Sequence, residues 1–288
     1  MKLLNTLLLI FSLLLAPVLA ELHFTVEATQ DGVPIPASEI KLEPFEPGTL
    51  GDKNQNSSST ARVRGSRRLT RRSNTQANSN NWCGPVKHTA SSPSTSLVKL
   101  VHGEFVHPAC TKRTGTASSY PQAAAFWVGI DGDAVTSALF QAGTVCKFDT
   151  STSTVVNQVW WQWVPSSAYF ISSMTLQAGD YMEIIVNTTS STAGRVTINN
   201  LTRGQAYTMG ITNGPALARV DAEWIVERPT YGGTLAGFAR FGDLWFDNAY
   251  GKTVGGANLG ILGSKQYQIP SLCSSLEYDD ATTEAWAL

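Results

Sequence analysis

The chain is 288 residues long, with 21 Lys/Arg against 22 Asp/Glu, a formal net charge of −1 at pH 7 and 42% hydrophobic residues. Such a balance excludes a polycationic nucleic-acid binder and a polybasic membrane-surface protein, so neither partner is expected. With its terminal segments set aside, the chain is long enough for one domain with a substantial core.

Met1-Lys2 followed by the apolar stretch Leu3–Ala20 reads as a secretory signal peptide, with a charged start, a short apolar middle and small residues before Glu21. No second long apolar run follows, so a secreted, extracellular and soluble protein is expected. Residues 21–72 are poor in aromatics and end in a run from Ala61 to Arg72 that holds six arginines and no acid. In an exported chain this run reads as the end of a removable prosegment, with Arg67-Arg68 and Arg71-Arg72 as processing points. Its cations can occupy an acidic site until low pH protonates the carboxylates, which makes the prosegment the chain's own inhibitor.

Residues 73–288 carry 12 Lys/Arg and 15 Asp/Glu. Their four cysteines, Cys83, Cys110, Cys146 and Cys273, fit no zinc spacing, and in an oxidising compartment they allow up to two disulfides in three connectivities. Short runs rich in Val, Ile, Thr, Trp and Tyr, broken by Gly, Asn, Asp and Pro, predict an all-β sandwich or barrel without helical periodicity. The clearest strands are 125–130, 137–142, 155–164, 181–188, 195–199, 206–211, 222–226 and 243–248. Residues 90–96 and 251–263 read as loops or irregular strands, and the acidic tail 277–288 as frayed.

Strand alternation in Asp221-Ala-Glu-Trp-Ile-Val-Glu227 places Asp221, Glu223 and Glu227 on one face and Ala222, Trp224 and Val226 on the other. A carboxylate among large aromatics has a raised pKa and can take and return a proton, so Glu223 is a candidate acid/base. Similar faces recur: Trp127 with Gly129 and Asp131, Gln141 with Leu139, and Trp160 with Gln158 and Gln162. Faces that mix polar groups with aromatics suit a groove that grips a polymer.

The strings Trp127-Val-Gly-Ile-Asp-Gly-Asp133, Phe140-Gln-Ala-Gly143, Trp160-Trp-Gln-Trp163 with Pro165, and Ala222-Glu-Trp-Ile-Val-Glu227 occur in order. Asn81-Trp82 precedes them and Phe238-Ala-Arg-Phe-Gly242 follows. Together they resemble the glutamic peptidases, the eqolisins of fungi, over most of the chain after residue 72. The resemblance implies an all-β sandwich of two packed antiparallel sheets, lectin-like in type, with a concave substrate groove. It further implies an acid endopeptidase acting on polypeptides, taken to be monomeric, with a Gln/Glu dyad and no cofactor or metal. By motif match the dyad is Gln141 and Glu223, and Trp127, Asp131, Trp160 and Gln162 are substrate-binding.

The residue types suit that chemistry. Hydrolysis by water needs a base, a donor for the oxyanion and an acid for the leaving nitrogen. Glu223 would serve as base and then acid, while Gln141 holds the water through its carbonyl and donates N–H to the oxyanion. The dyad reading has the two side chains meet across neighbouring strands. Where the family usually carries acids, this chain has Gln158 and Gln162, and Arg228-Pro229 and Arg240 replace further acidic positions, which puts pH optimum and substrate preference in question. Two alternatives stand beside the peptidase: a β-sandwich glycosidase pairing Glu223 with Glu227 or Asp131, and a non-catalytic sugar-binding module stacking Trp127 and Trp160.

Overall fold

The computed structural model describes residues 22–45, 75–114, 121–148 and 154–288. The signal segment 1–20 and the arginine run 61–72 lie outside the described residues. Apart from two-residue pieces, seventeen strands follow one another. They are β1 His23–Gln30, β2 Leu42–Phe45, β3 Gln76–Asn78, β4 Trp82–His88, β5 Val98–Val106 and β6 Gln122–Ile130. Next come β7 Leu139–Phe148, β8 Val155–Val164, β9 Ala168–Ile171, β10 Tyr181–Thr188, β11 Gly194–Asn200 and β12 Gln205–Thr212. The last are β13 Asp221–Glu227, β14 Asp243–Thr253, β15 Lys265–Gln268, β16 Cys273–Glu277 and β17 Thr283–Ala287.

Two ten-stranded sheets pack face to face, as the all-β sandwich expectation requires. The front sheet runs β2-β9-β8-β7-β6-β13-β4-β15-β3, and the back sheet runs β1-β12-β11-β10-β5-β14-β17-β16. Between them lies the main apolar core, where Phe126, Trp161 and Trp224 of the front sheet meet Phe105, Ile184 and Phe246 of the back. Each such side chain contributes about 2–3 kcal/mol through its burial. Cys83 bonds Cys273 and Cys110 bonds Cys146, which settles the open connectivity. The first ties β4 to β16 and so links the sheets.

Two expectations are corrected. The strand expected at 137–142 runs from Leu139 to Phe148, because Gly143 is no breaker. A Cβ there would stand 2.0 Å from the Phe126 carbonyl oxygen, so this glycine permits close backbone approach inside the sheet. The tail read as frayed is ordered: β17 pairs with both β14 and β16. Segment 251–263, read as loop or irregular strand, begins as the end of β14, which runs to Thr253.

Residues assigned by composition to the prosegment also enter both sheets. All eight residues of β1 pair antiparallel with β12, extending the back sheet, and β2 pairs with β9, extending the front sheet.

Candidate active site

On the outer face of the front sheet, side chains line up in rows across the strands. One row is set by register alone: Gln162 of β8 pairs with Gln141 of β7, Gln141 with Gly129 of β6, and Gly129 with Glu223 of β13. Thus Gln141 and Glu223 share a face and a row. They do not sit on neighbouring strands, as the sequence reading required; β6 lies between them, and the residue it contributes to the row is glycine. A Cβ at Gly129 would stand 2.9 Å from the Trp127 ring, 3.1 Å from Leu139 Cδ1 and 3.3 Å from the Gln141 Cβ, so only glycine lets these side chains pack over the position between Gln141 and Glu223.

The amide of Gln141 is oriented by a relay. Gln162 donates from Nε2 to the Ser166 carbonyl at 3.0 Å, which turns its Oε1 toward Gln141. Gln141 then donates from Nε2 to that oxygen at 3.1 Å. A carboxylate at position 162 could accept the same bond but would add a charge; here the amide keeps the site neutral at that point.

Aromatic residues wall the row. Trp82, Trp127, Trp160 and Tyr267 are buried in one outer-face cluster with Ile225, Phe170 and Tyr231. Trp82 stands edge-on to Trp127 at 5.2 Å between ring centres. Trp127 donates from Nε1 to Oε2 of Glu227 at 2.9 Å, and Asn81 donates from Nδ2 to Oε1 of Glu227 at 3.4 Å. Gln141, Glu223 and Glu227 are all fully buried in the full-length chain.

Asp131 serves backbone rather than groove. Its carboxylate accepts the N–H groups of Arg219 at 2.7 Å, Val220 at 2.8 Å and Asp221 at 3.3 Å, so it anchors the approach to β13. Burial pushes its pKa up to about 6 and the neighbouring Asp221 charge adds to the rise, against the three N–H bonds. Beside it lies a network centred on His88, a residue outside the motifs read from the sequence. His88 Nδ1 meets Asp221 Oδ1 at 2.5 Å and its Nε2 meets Asp133 Oδ2 at 3.1 Å. Tyr267 donates its hydroxyl to Asp133 Oδ1 at 2.5 Å, and Lys265 Nζ lies 3.2 Å from Asp133 Oδ2. Hydrogen bonds to Asp133 and Asp221 raise His88 to about 9, so it is cationic throughout the acid range.

The structure therefore places Gln141, Glu223, Trp127, Trp160 and Gln162 on one face and Asp131 at its end, under the loop. Gly129 and Asn81 were missed as functional positions. A glycine between two polar strands on the same face was the only sequence signal for the first, and pairing of Asn81 with Glu227 depends on strand order.

Residues 80–284 match the Peptidase A4 family. The chain belongs to that family. It is 34% identical over 210 residues to aspergillopepsin-2 of Aspergillus niger, covering 65% of this chain and 71% of that protein. To scytalidopepsin B of Scytalidium lignicola it is 33% identical over 131 residues, 44% of this chain and 48% of that protein. The fold is similar to a crystal structure of scytalido-glutamic peptidase with a transition state analog inhibitor, with TM-score 0.61 at 22% identity over 73% of this chain and 98% of that one. Aspergilloglutamic peptidase from Aspergillus niger superimposes with TM-score 0.54 at 29% identity, covering 58% and 99%. This Peptidase A4 member is accordingly a glutamic-type endopeptidase of the eqolisin kind, and its paired disulfides agree with an oxidising, extracellular setting.

Proposed function

We propose that the protein is a secreted acid endopeptidase that hydrolyses polypeptides with Glu223 and Gln141 as its dyad. One observation carries the reading: the two residues face each other along one row with only Gly129 between them. Two strand spacings separate their backbones by roughly 10 Å, a gap that two long side chains reaching inward can close around one water molecule. Glu223 takes a proton from that water as it attacks the scissile carbonyl carbon. Gln141 holds the water through its amide oxygen and gives an N–H to the oxyanion that forms. Glu223 then returns the proton to the leaving nitrogen, the C–N bond breaks, and acid and amine products result. The Gln162 relay fixes the amide in advance, so no reorientation is needed in the transition state.

Trp127 and Trp160 serve as walls that exclude water, and Gln162 and Asp131 as positioning residues. Glu227, held by Trp127 and Asn81, is engaged as a structural acceptor, which disfavours the glycosidase pair. The full burial of Trp127 and Trp160 likewise disfavours sugar stacking on their rings.

Residues 21–72 fit a prosegment that acts as inhibitor of a monomeric enzyme. Phe45 and Gln76 stand in strands at opposite edges of the front sheet. With both dyad residues buried in the full-length chain, substrate gains access only after this arrangement opens. The test is to compare unprocessed and acid-processed protein on a denatured protein substrate, with Gln141→Ala and Glu223→Gln alongside. Loss of cleavage in both variants with folding retained supports the dyad; variants that cut like wild type end it. An unprocessed chain already fully active at acid pH removes the inhibitor reading alone.

A further inference from the structure

The edge strand β2 brings a side chain of the N-terminal segment to the end of the dyad's row. Its four residues pair in full with β9, Phe45 opposite Ala168 and Leu42 opposite Ile171. Alternation sends Leu42 into the core between the sheets and Phe45 onto the outer face, against the aromatic cluster that contains Trp127 and Trp160. There Phe45 stands edge-on to Phe170 at 5.1 Å and to Tyr231 at 5.6 Å between ring centres. Tyr169 pairs with Trp161, so Ala168 falls in the row of Gln162, and Phe45 is the outermost member of the row that continues through Gln141 and Gly129 to Glu223. Pro44, with no N–H to offer, suits this edge position.

We propose that Phe170 and Tyr231 form an aromatic-accepting subsite of the peptidase groove, that Phe45 fills it before processing, and that an aromatic side chain of a polypeptide substrate fills it afterwards. This rests on the reading of residues 21–72 as a removable prosegment. Once β2 leaves, two edge-oriented rings lose their third partner at the end of the catalytic row, and an aromatic side chain restores the packing. Tyr231 belongs to the short hairpin that follows Glu227, and burial, with Glu227 nearby, raises its hydroxyl well above the usual range, so the wall remains uncharged in acid. Lys147 Nζ lies over the Tyr231 ring at 5.2 Å. Three strand spacings separate β2 from β7, about 14 Å, which an extended peptide crossing the strands covers in about four residues. The aromatic preference is therefore expected about four positions from the scissile bond.

The test uses full-length protein processed at acid pH and separated from the released segment. A peptide substrate of fixed sequence carries one Phe, moved through successive positions on either side of the cleaved bond and compared with Ala. Phe about four positions away should raise kcat/KM by about tenfold, mainly through KM, the worth of one well-buried ring. Phe170→Leu should reduce the preference for Phe over Ala in kcat/KM to about twofold or less. Independently of activity, calorimetry measures binding of a peptide spanning residues 37–47 to processed protein, and its Phe45→Ala version should bind about tenfold more weakly. Cleavage with no positional preference, together with equal affinity of the two peptides, overturns the subsite and leaves the peptidase reading standing. Absent cleavage with Phe45-dependent peptide binding does the reverse. A processed protein that retains Leu42–Phe45 on β9 also overturns the proposal.

Discussion

On the back sheet, His102 and Glu104 of β5 and Glu183 of β10 converge as tightly as the polar residues of the front sheet. His102 Nε2 lies 3.0 Å from Glu183 Oε1, and its Nδ1 donates to the Asn248 carbonyl at 2.8 Å. Asn199 donates to Glu183, Asn248 and Tyr181 donate to Glu104, and Tyr250 stacks on the imidazole. Charge here is compensated on the spot, and the carboxylates keep a share of solvent, with side-chain exposures of 17% for Glu104 and 22% for Glu183. The front-sheet row differs in two respects: its carboxylate is walled off by aromatics, and the residue between acid and amide is a glycine over which Trp127 and Leu139 pack closely. The back-sheet cluster has the marks of ordinary stabilisation, with its polar groups paired in place and partly in solvent.

The sharpest way to break this contrast is to remove the dyad. Glu223→Gln should lower kcat/KM by about 10³-fold or more and Gln141→Ala by about 10²–10³-fold, with unfolding midpoints near wild type. Glu183→Gln, measured in parallel, should leave kcat/KM within about twofold and cost about 1 kcal/mol in a urea titration. If Glu183→Gln slowed a folded enzyme as much as Glu223→Gln, the two clusters would not be different in kind. Next in size, Gly129→Ala crowds the middle of the row. It should cost about 10²-fold in kcat through misplacement and about 1–3 kcal/mol through overpacking against Trp127. An alanine variant with unchanged kcat would show that the glycine between Gln141 and Glu223 has no part in the chemistry.

The smallest expected effects concern pH. His88, raised to about 9, contributes stability that is fully present below its unfolded value near 6.5 and is lost as pH rises toward 9. His107, held between Thr144 and Asn157 and lowered by burial to about 4, works in the opposite direction. The unfolded chain takes up its proton first, so its contribution falls as pH drops from about 6.5 to 4. Unfolding midpoints of His107→Gln should decline less than wild type over that acid interval, whereas His88→Gln should lose more stability at pH 5 than at pH 9. Identical pH profiles for all three proteins would show that neither histidine is linked to folding.

Much of the site was legible because strand periodicity is local. The faces bearing Gln141, Glu223, Trp127, Trp160 and Gln162 follow from alternation within each strand, and the order of their motifs carried the family. Asp131 was read as a groove residue because its own strand points it that way; only the loop at Arg219–Asp221, distant in sequence, uses up its carboxylate. The His88 network was not legible for the same reason, since Asp133 and Asp221 reach it from segments distant in sequence.

By itself, the order of residues determined the β class and the faces on which Gln141 and Glu223 stand, because these depend on neighbours within a few positions. Tertiary structure decided the strand order, which put β6 and its Gly129 between Gln141 and Glu223, paired Cys83 with Cys273 across the sheets, and carried Phe45 from the N-terminal segment to the end of their row. Those outcomes turn on which edges find each other when the apolar faces pack, and no local pattern encodes them.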